Sequence, residues 1–484
     1  MLISKDGNVL SIQGDPIPQR LFTDLDHELS YTYRSRNFRG DLLLEKRLLY
    51  NMSCDNLMLT TIGMWPDIQK VLAQHPNVQV SFVDNTPDEY NLKKVVPDWG
   101  NVSDLTFKPG QREAIQAIIN SNGGIVCAPT GFGKTFLIGA LCKLFPKARI
   151  HISTKSVEIA IRIVKDLKRL IPSVGMIGGG KNEAKARVLV ITADSLHKAP
   201  GDADLFFYDE CHQAAAESYT QDILTTYNYA KRIGFTATPT GRSDGADRVL
   251  NLLFGNVIFN MDYSQGVDLG LVVPIRVRWL PYTGPCVEAS EYKKAIYRKR
   301  HCIWRNEARN KVIADDVHAN YENDSVLILV ETVEHAVYLH KLLPEFELCY
   351  ATMDPADLTK YKANNLLPED YEPLSKNDRI KLCNDFLTGK VKKVISTDVW
   401  STGVDFPSLS VVYSVSSRVS KILTTQGAGR VSRIFSGKDH GNVVDVQDLF
   451  ADDFKGFSYR RYKTYKELGW EQEGFGGTKR GTKV

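Results

Sequence analysis

The chain has 484 residues, 43% of them apolar and 24% charged, a composition that excludes a disordered, collagen-like or disulfide-dense secreted protein. At about 100 to 200 residues per domain, this length predicts roughly three domains, each able to bury its own core. The formal charge of +4 is too small to name a partner, but it is unevenly spread: residues 1–105 hold 10 Lys and Arg against 14 Asp and Glu, so the basic excess lies downstream. Much of that excess falls in residues 292–311, with 8 basic residues against Glu307, and in residues 455–484, with 8 against 3.

Taken in chain order, residues 1–105 mix aromatic and polar side chains (LSYTYRSRNF) and then carry an amphipathic stretch at 65–75, which predicts a separate small α+β domain. From residue 124 onward, short runs rich in Val, Ile and Phe alternate with segments of helical length. Residues 124–128, 149–153, 187–192, 204–208 and 232–236 read as buried strands of a parallel sheet wrapped by helices. After a less regular stretch at 255–290, the pattern resumes at 325–330, 347–350, 392–396, 410–415 and 441–446, predicting a second α/β unit. Residues 352–378, polar and with three prolines, read as an inserted connection, and the final FGGTKRGTKV as a mobile end. The eight cysteines (54, 127, 142, 211, 286, 302, 349 and 383) form no C-x-x-C pair and no zinc-ligand spacing, and the amino terminus lacks a signal peptide's basic and apolar regions. No apolar run approaches the roughly 18 residues of a membrane span, so a reduced, cytosolic protein is expected.

Chemistry concentrates in three places. The first is Ala128, Pro129, Thr130, Gly131, Phe132, Gly133, Lys134 and Thr135, directly after a predicted strand and ahead of an apolar helix-like segment. Glycines there let backbone N–H groups curl toward phosphate oxygens, with a helix amino terminus behind them. Lys134 would reach the β- and γ-phosphates, and the Thr135 hydroxyl would hold Mg²⁺. The second is the strand ending Asp209, Glu210, Cys211, His212, which puts two carboxylates at the carboxyl edge of the same sheet. Asp209 suits Mg²⁺ and Glu210 the polarisation of an attacking water. The third is QGAGRVSR at 426–433, which places Arg430 and Arg433 three apart on one helical face. That spacing suits an arginine finger reaching a phosphate bound on the other unit.

With Thr236-Ala-Thr238, these motifs resemble motifs I, II, III and VI of superfamily 2 DNA helicases of the DExH type. TADSL at 192–196 is similar to motif Ib, STDVWSTGVDFP at 396–407 to motif V, 326–330 to motif IV, and 107–111 to the segment in which a glutamine recognises adenine. The layout most resembles bacteriophage fork-remodelling and branch-migration helicases of the UvsW type. The resemblance implies an α/β fold of two RecA-like motor domains in tandem behind a small N-terminal α+β domain. The boundaries expected are 1–105 for the accessory domain, 106–285 and 286–455 for the motors, and 456–484 for a basic aromatic tail. It implies ATP and Mg²⁺ as cofactors, Gln111 and the 128–135 loop as ATP contacts, and hydrolysis driven by Asp209 and Glu210 and completed by Arg430 and Arg433. Gly403 and Asp405 would touch ATP and the second domain. His212, Thr236, Thr238 and Gln426 would couple nucleotide state to the nucleic-acid track, although a core-packed histidine and a plain strand end are alternative readings.

The Cys211 spelling, the short glutamine segment and Thr236 in place of serine depart from the RNA-specific DEAD-box branch. The expected function is therefore ATP-driven unwinding or remodelling of forked or branched DNA in replication, recombination or repair, in a phage-infected or bacterial cytosol. The chain would act as a monomer with DNA as its partner, the alternatives being an RNA helicase or the motor of a restriction-type complex. The 292–311 segment could line DNA or be a solvated helix. The tail's aromatics could stack on bases or pack on the second motor domain.

Overall fold

The computed structural model describes all residues except 15, 37–41, 54–56, 89–95, 238–246, 285, 287, 401–405, 420 and 477–484. The chain divides into two units, residues 1–262 and 263–484.

The first unit opens with a five-stranded sheet in the order Asn51–Met52, Leu57–Thr61, Val9–Gln13, Leu2–Asp6, Ser81–Asp84. The first four are antiparallel neighbours and the last pairs parallel. Helices Gln19–Glu28 and Trp65–Ala73 bring Leu21, Leu25, Ile68 and Val71 to the core made with Ile3, Leu10 and Ile12, as the 65–75 periodicity predicts. This core does not close on itself. It continues into Phe206, Tyr208, Cys211, Val249 and Leu253 of the neighbouring fold, so the expected separate N-terminal domain shares one apolar interior with it. The junction is also polar: the Asn8 amide donates to the carbonyls of Tyr227 at 3.1 Å, Asn228 at 2.6 Å and Ala230 at 2.7 Å.

An eight-stranded sheet follows. Six of its strands run Val188–Thr192, Ile150–Thr154, Leu205–Asp209, Lys231–Thr236, Gly124–Cys127 and, at the edge, Val257–Asn260, all parallel neighbours. Apolar sequences such as VLVIT are buried along their full length, as expected of strands covered on both faces. The five strands expected from sequence are present, each within a residue or so at its ends. Val174–Gly178 is an additional one, hidden in the sequence by two glycines in five residues.

The second unit holds a seven-stranded, wholly parallel sheet in the order Glu347–Cys349, Lys393–Ser396, Val326–Leu329, Val411–Ser414, Gly441–Asp448, Ile275–Tyr282, Glu471–Glu473. Two expectations are corrected here. Ile275–Tyr282 pairs along its whole length with Gly441–Asp448, so this fold begins ahead of the expected 285/286 boundary. Its alternation of buried and exposed residues, with Arg276, Arg278 and Pro281 interleaved, masks a strand from a reading that seeks continuous apolar runs. Residues 456–476 of the expected 456–484 tail are not an appendage either, and the rest of it lies outside the described residues. Helix Asp452–Glu467 buries Phe454, Arg461 and Tyr465, and strand Glu471–Glu473 completes the sheet. The 352–378 connection contains a helix, Pro355–Ala363, started by the Asp354 side chain.

Candidate functional site

In the first unit the strands Leu205–Asp209, Lys231–Thr236 and Gly124–Cys127 are consecutive neighbours, so the segments leaving their carboxyl ends emerge side by side. The Ala128 N–H donates to the Thr236 carbonyl at 3.0 Å, which ties the start of the 128–135 loop to the adjacent strand end. Gly131 and Gly133 take φ of +108° and +88°, a region that residues with a Cβ rarely adopt. A Cβ at Gly133 would also lie 2.9 Å from Gln111 Nε2. Helix Lys134–Leu144 starts directly behind, and no side chain caps it, so its first N–H groups face the loop.

The Lys134 ammonium donates to Glu210 Oε1 at 3.0 Å. Glu210 has a left-handed backbone, φ 55°, unusual for a residue with a side chain, which turns the chain sharply after the strand. Its other oxygen lies 3.5 Å from His212 Nδ1, and that nitrogen is 3.2 Å from Thr236 Oγ1. Lys134, Glu210, His212 and Thr236 thus form one connected polar line from the loop to the end of the next strand. His212 and Thr236 are buried, but a histidine held between a carboxylate and a hydroxyl is part of a network, not packing alone. Burial pushes the Asp209 carboxyl up to about 6, with Glu210 beside it adding to the rise and Lys134 opposing it. Gly234 has a steric reason: a Cβ there would lie 2.7 Å from Cys211 Sγ, so the strand Lys231–Thr236 packs closely on the turn after Asp209 only without a side chain at that position.

Gln111 is 1% exposed, and both ends of its amide are engaged. Nε2 donates to the Phe132 carbonyl at 2.7 Å, and Oε1 accepts from the Lys108 N–H at 2.8 Å. The glutamine braces the loop from behind, a connection that sequence reasoning missed because the partners are backbone atoms. Phe132 is buried with its ring 5.7 Å from Phe259, fixing the loop on its other side.

In the second unit, helix Lys421–Ala428 carries Gln426 and ends before the arginines. Arg430 lies in the tight turn Gly429–Ser432, and Arg433 follows in extended conformation. The expectation of two arginines on one α-helical face is corrected accordingly: Arg430 is buried and Arg433 only partly so. Thr238, Gly403 and Asp405 lie outside the described residues, as does the Gln426 side chain. Among the described residues, no three His, Cys, Asp or Glu groups gather to hold a metal by themselves. Thr135 lies in the first turn of helix Lys134–Leu144 and Asp209 ends the strand Leu205–Asp209, and both carry oxygen donors of the kind that Mg²⁺ takes, commonly one or two together with substrate phosphates.

Three family models match: the res subunit of type III restriction enzymes over residues 104–241, the SWI2/SNF2 ATPase over 182–311 and the helicase conserved C-terminal domain over 308–435. Together they run across more than half of the chain. The chain belongs to the superfamily 2 helicases. The helicase is 21% identical over 352 residues to the DNA 3'-5' translocase XPB2 of Sulfurisphaera tokodaii, covering 68% of this chain and 79% of that protein. Its fold matches S. cerevisiae Dbp5 L327V bound to RNA and ADP BeF3, with a TM-score of 0.54 and 16% identity over 80% of this chain and 94% of the other. T4 UvsW aligns more loosely, with a TM-score of 0.41 and 16% identity, over 98% of each chain. By the family models and the fold shared with Dbp5, the helicase carries tandem RecA-like domains of an ATP-dependent helicase or translocase. No helix among the described residues is long and apolar enough to cross a membrane.

Proposed function

We propose that this helicase is an ATP-driven DNA translocase that unwinds or remodels forked and branched DNA. The observation that carries the ATP site is the Lys134–Glu210 pair at 3.0 Å beneath two left-handed glycines. A cation held by a carboxylate at a helix amino terminus is poised to exchange that carboxylate for phosphate. Lys134 and the uncapped N–H groups bind the phosphates, and Thr135 and Asp209 would hold Mg²⁺, which would supply positive charge against the phosphates. Glu210, released by Lys134, orients the attacking water. His212 and Thr236 carry that change to the neighbouring strand end. Arg430 and Arg433 supply positive charge to the transferring phosphoryl group. Gln111 braces the loop through one hydrogen bond at each amide atom, and its second Nε2–H and second Oε1 lone pair remain for the adenine.

DNA as the substrate is supported by the likeness to a named DNA translocase and by the departures from the DEAD-box spelling. The match to a restriction-enzyme subunit model favours a second reading, a motor serving a nuclease or methyltransferase partner. The deciding experiment compares ATPase stimulation and strand separation on single-stranded DNA, a fork, a four-way junction and duplex RNA. Greatest activity on forks or junctions is expected. Stimulation by RNA alone would overturn the proposal, and co-purification with a nuclease would favour the second reading.

A further inference from the structure

The two basic, aromatic stretches that stand 144 residues apart in sequence, at 292–311 and 455–476, meet in the second unit. Ala289, Cys302, Ile303 and Trp304 share a small apolar core with Phe454, against which Phe457 packs. Arg298 seals the junction: its guanidinium donates to Asp453 at 2.8 Å and lies over the Phe454 ring at 5.8 Å.

Ion pairing then sorts the cations. Of the eight in 292–311, six are paired with carboxylates: Arg298 with Asp453, Lys299 with Glu331, Arg300 and Arg305 with Glu334, Arg309 with Asp448 and, on the helix surface, Lys311 with Asp315. Lys293 and Lys294 remain, both exposed and with no carboxylate in ion-pair reach among the described residues. In the second stretch Lys455 and Arg461 are paired, by Asp452 and Asp445, whereas Arg460, Lys463 and Lys466 are exposed, with no carboxylate in ion-pair reach among the described residues.

The unpaired cations sit beside exposed rings. Lys294 lies 5.9 Å from the Tyr297 ring, which is 43% exposed, and Tyr292 stacks on His301 at 4.4 Å and 10°. Lys463 lies 5.2 Å from the Tyr459 ring, which is 49% exposed. Tyr459 is nearly parallel to Tyr462, and Tyr462 to Phe475, each pair at 18°. A ladder of parallel rings whose outer member is open to solvent, flanked by cations without counter-charges, fits planar bases joined by phosphates.

We infer that Tyr292–Lys294–Tyr297 and the Tyr459–Arg460–Lys463 face of the C-terminal helix together form an accessory surface for single-stranded nucleic acid, sequence-independent in its grip. The inference rests on the nucleic-acid motor reading and extends it to residues outside the family motifs. The test uses the full chain without nucleotide and a fluorescein-labelled (dT)20 strand, with binding read by anisotropy between 50 and 200 mM NaCl. Arg460→Ala/Lys463→Ala and Lys293→Ala/Lys294→Ala should each weaken binding and flatten the salt dependence by about 0.7 in log–log slope for each phosphate no longer neutralised. Tyr459→Ala should cost about five-fold or more with the slope unchanged, the signature of a missing base stack. ATP hydrolysis without nucleic acid should match wild type in all three.

Variants that bind like wild type at every salt, while wild type binds and is stimulated, would overturn this surface and leave the motor reading standing. A wild-type protein neither bound nor stimulated by any nucleic acid would overturn both. Competition by poly-glutamate as effective as unlabelled (dT)20 would reassign the face to an acidic protein partner and overturn the inference.

Discussion

Replacing Gln111 by alanine separates two roles that the same residue could play. The family resemblance gives it the adenine base, and its amide also holds the Phe132 carbonyl and the Lys108 N–H, with one donor and one acceptor site left over. In Gln111→Ala the buried Phe132 carbonyl loses its donor, and an unsatisfied buried acceptor costs about 1 to 3 kcal/mol. The Lys108 N–H is only part-buried, so water replaces its partner at little cost. If that energy holds the phosphate loop in its binding shape, kcat/KM should fall roughly 5- to 150-fold, at about 1.4 kcal/mol per factor of ten. The fall from lost bracing should be the same for ATP and GTP, because the loop meets phosphates and not the base. Gln111→Glu should be as weak as alanine, since it sets an acceptor against an acceptor. Steady-state hydrolysis of both nucleotides with a stimulating strand present decides it. A loss confined to ATP, with GTP untouched, would put the amide on the base and refute the bracing role.

Lys134→Ala should abolish nucleic-acid-stimulated ATP hydrolysis while largely sparing DNA binding; wild-type-like turnover would sink the assignment of the loop. Arg430→Ala should bind ATP nearly normally and hydrolyse it poorly, so an unchanged kcat in a variant with native melting would remove the finger role. Asp448→Ala strands the Arg309 guanidinium, which is wholly buried and otherwise bonded to the Val415 carbonyl. Breaking such a pair costs about 3 to 5 kcal/mol and should lower the melting temperature of the second unit by about 6 to 20 °C, and unchanged melting would mean that the charge finds water. Burial holds His151 down at about 4 against 6.5 when exposed, so the unfolded chain protonates first as pH falls. The first unit should therefore lose about 3 kcal/mol between pH 6.5 and 4, and His151→Leu should remove that slope in denaturant titrations at pH 7 and 4.5.

The parallel strands were legible because burial on both faces forces unbroken apolar runs, and VLVIT or LFFYD allow little else. The ATP-site motifs were legible for a different reason: a phosphate loop needs glycine, lysine and a following helix within eight residues, so its whole specification is local. Ile275–Tyr282 shows the limit. Its inner face is apolar but its outer face carries Arg276 and Arg278, and the second arginine is held by Asp316 at 2.6 Å, a partner 38 residues away. Without that partner in view, the strand reads as irregular polar chain.

Charge was the least legible property, and the reason is sequence distance. The basic run at 292–311 looks like a nucleic-acid patch, yet Arg309 is matched by Asp448 across 139 residues and Arg298 by Asp453 across 155. A linear count registers eight cations and cannot subtract carboxylates that arrive from another strand or helix. The same holds for the junction in the first unit, where Asn8 finds its three carbonyls some 220 residues on, so a segment of different composition reads as a separate domain although its core is shared. What remains of these two stretches after the fold has cancelled its internal charges, Lys293, Lys294, Arg460, Lys463 and Lys466 among the described residues, is a smaller set than the sequence suggests. It is the informative one, because a cation left exposed without a carboxylate costs the fold nothing to offer to a phosphate.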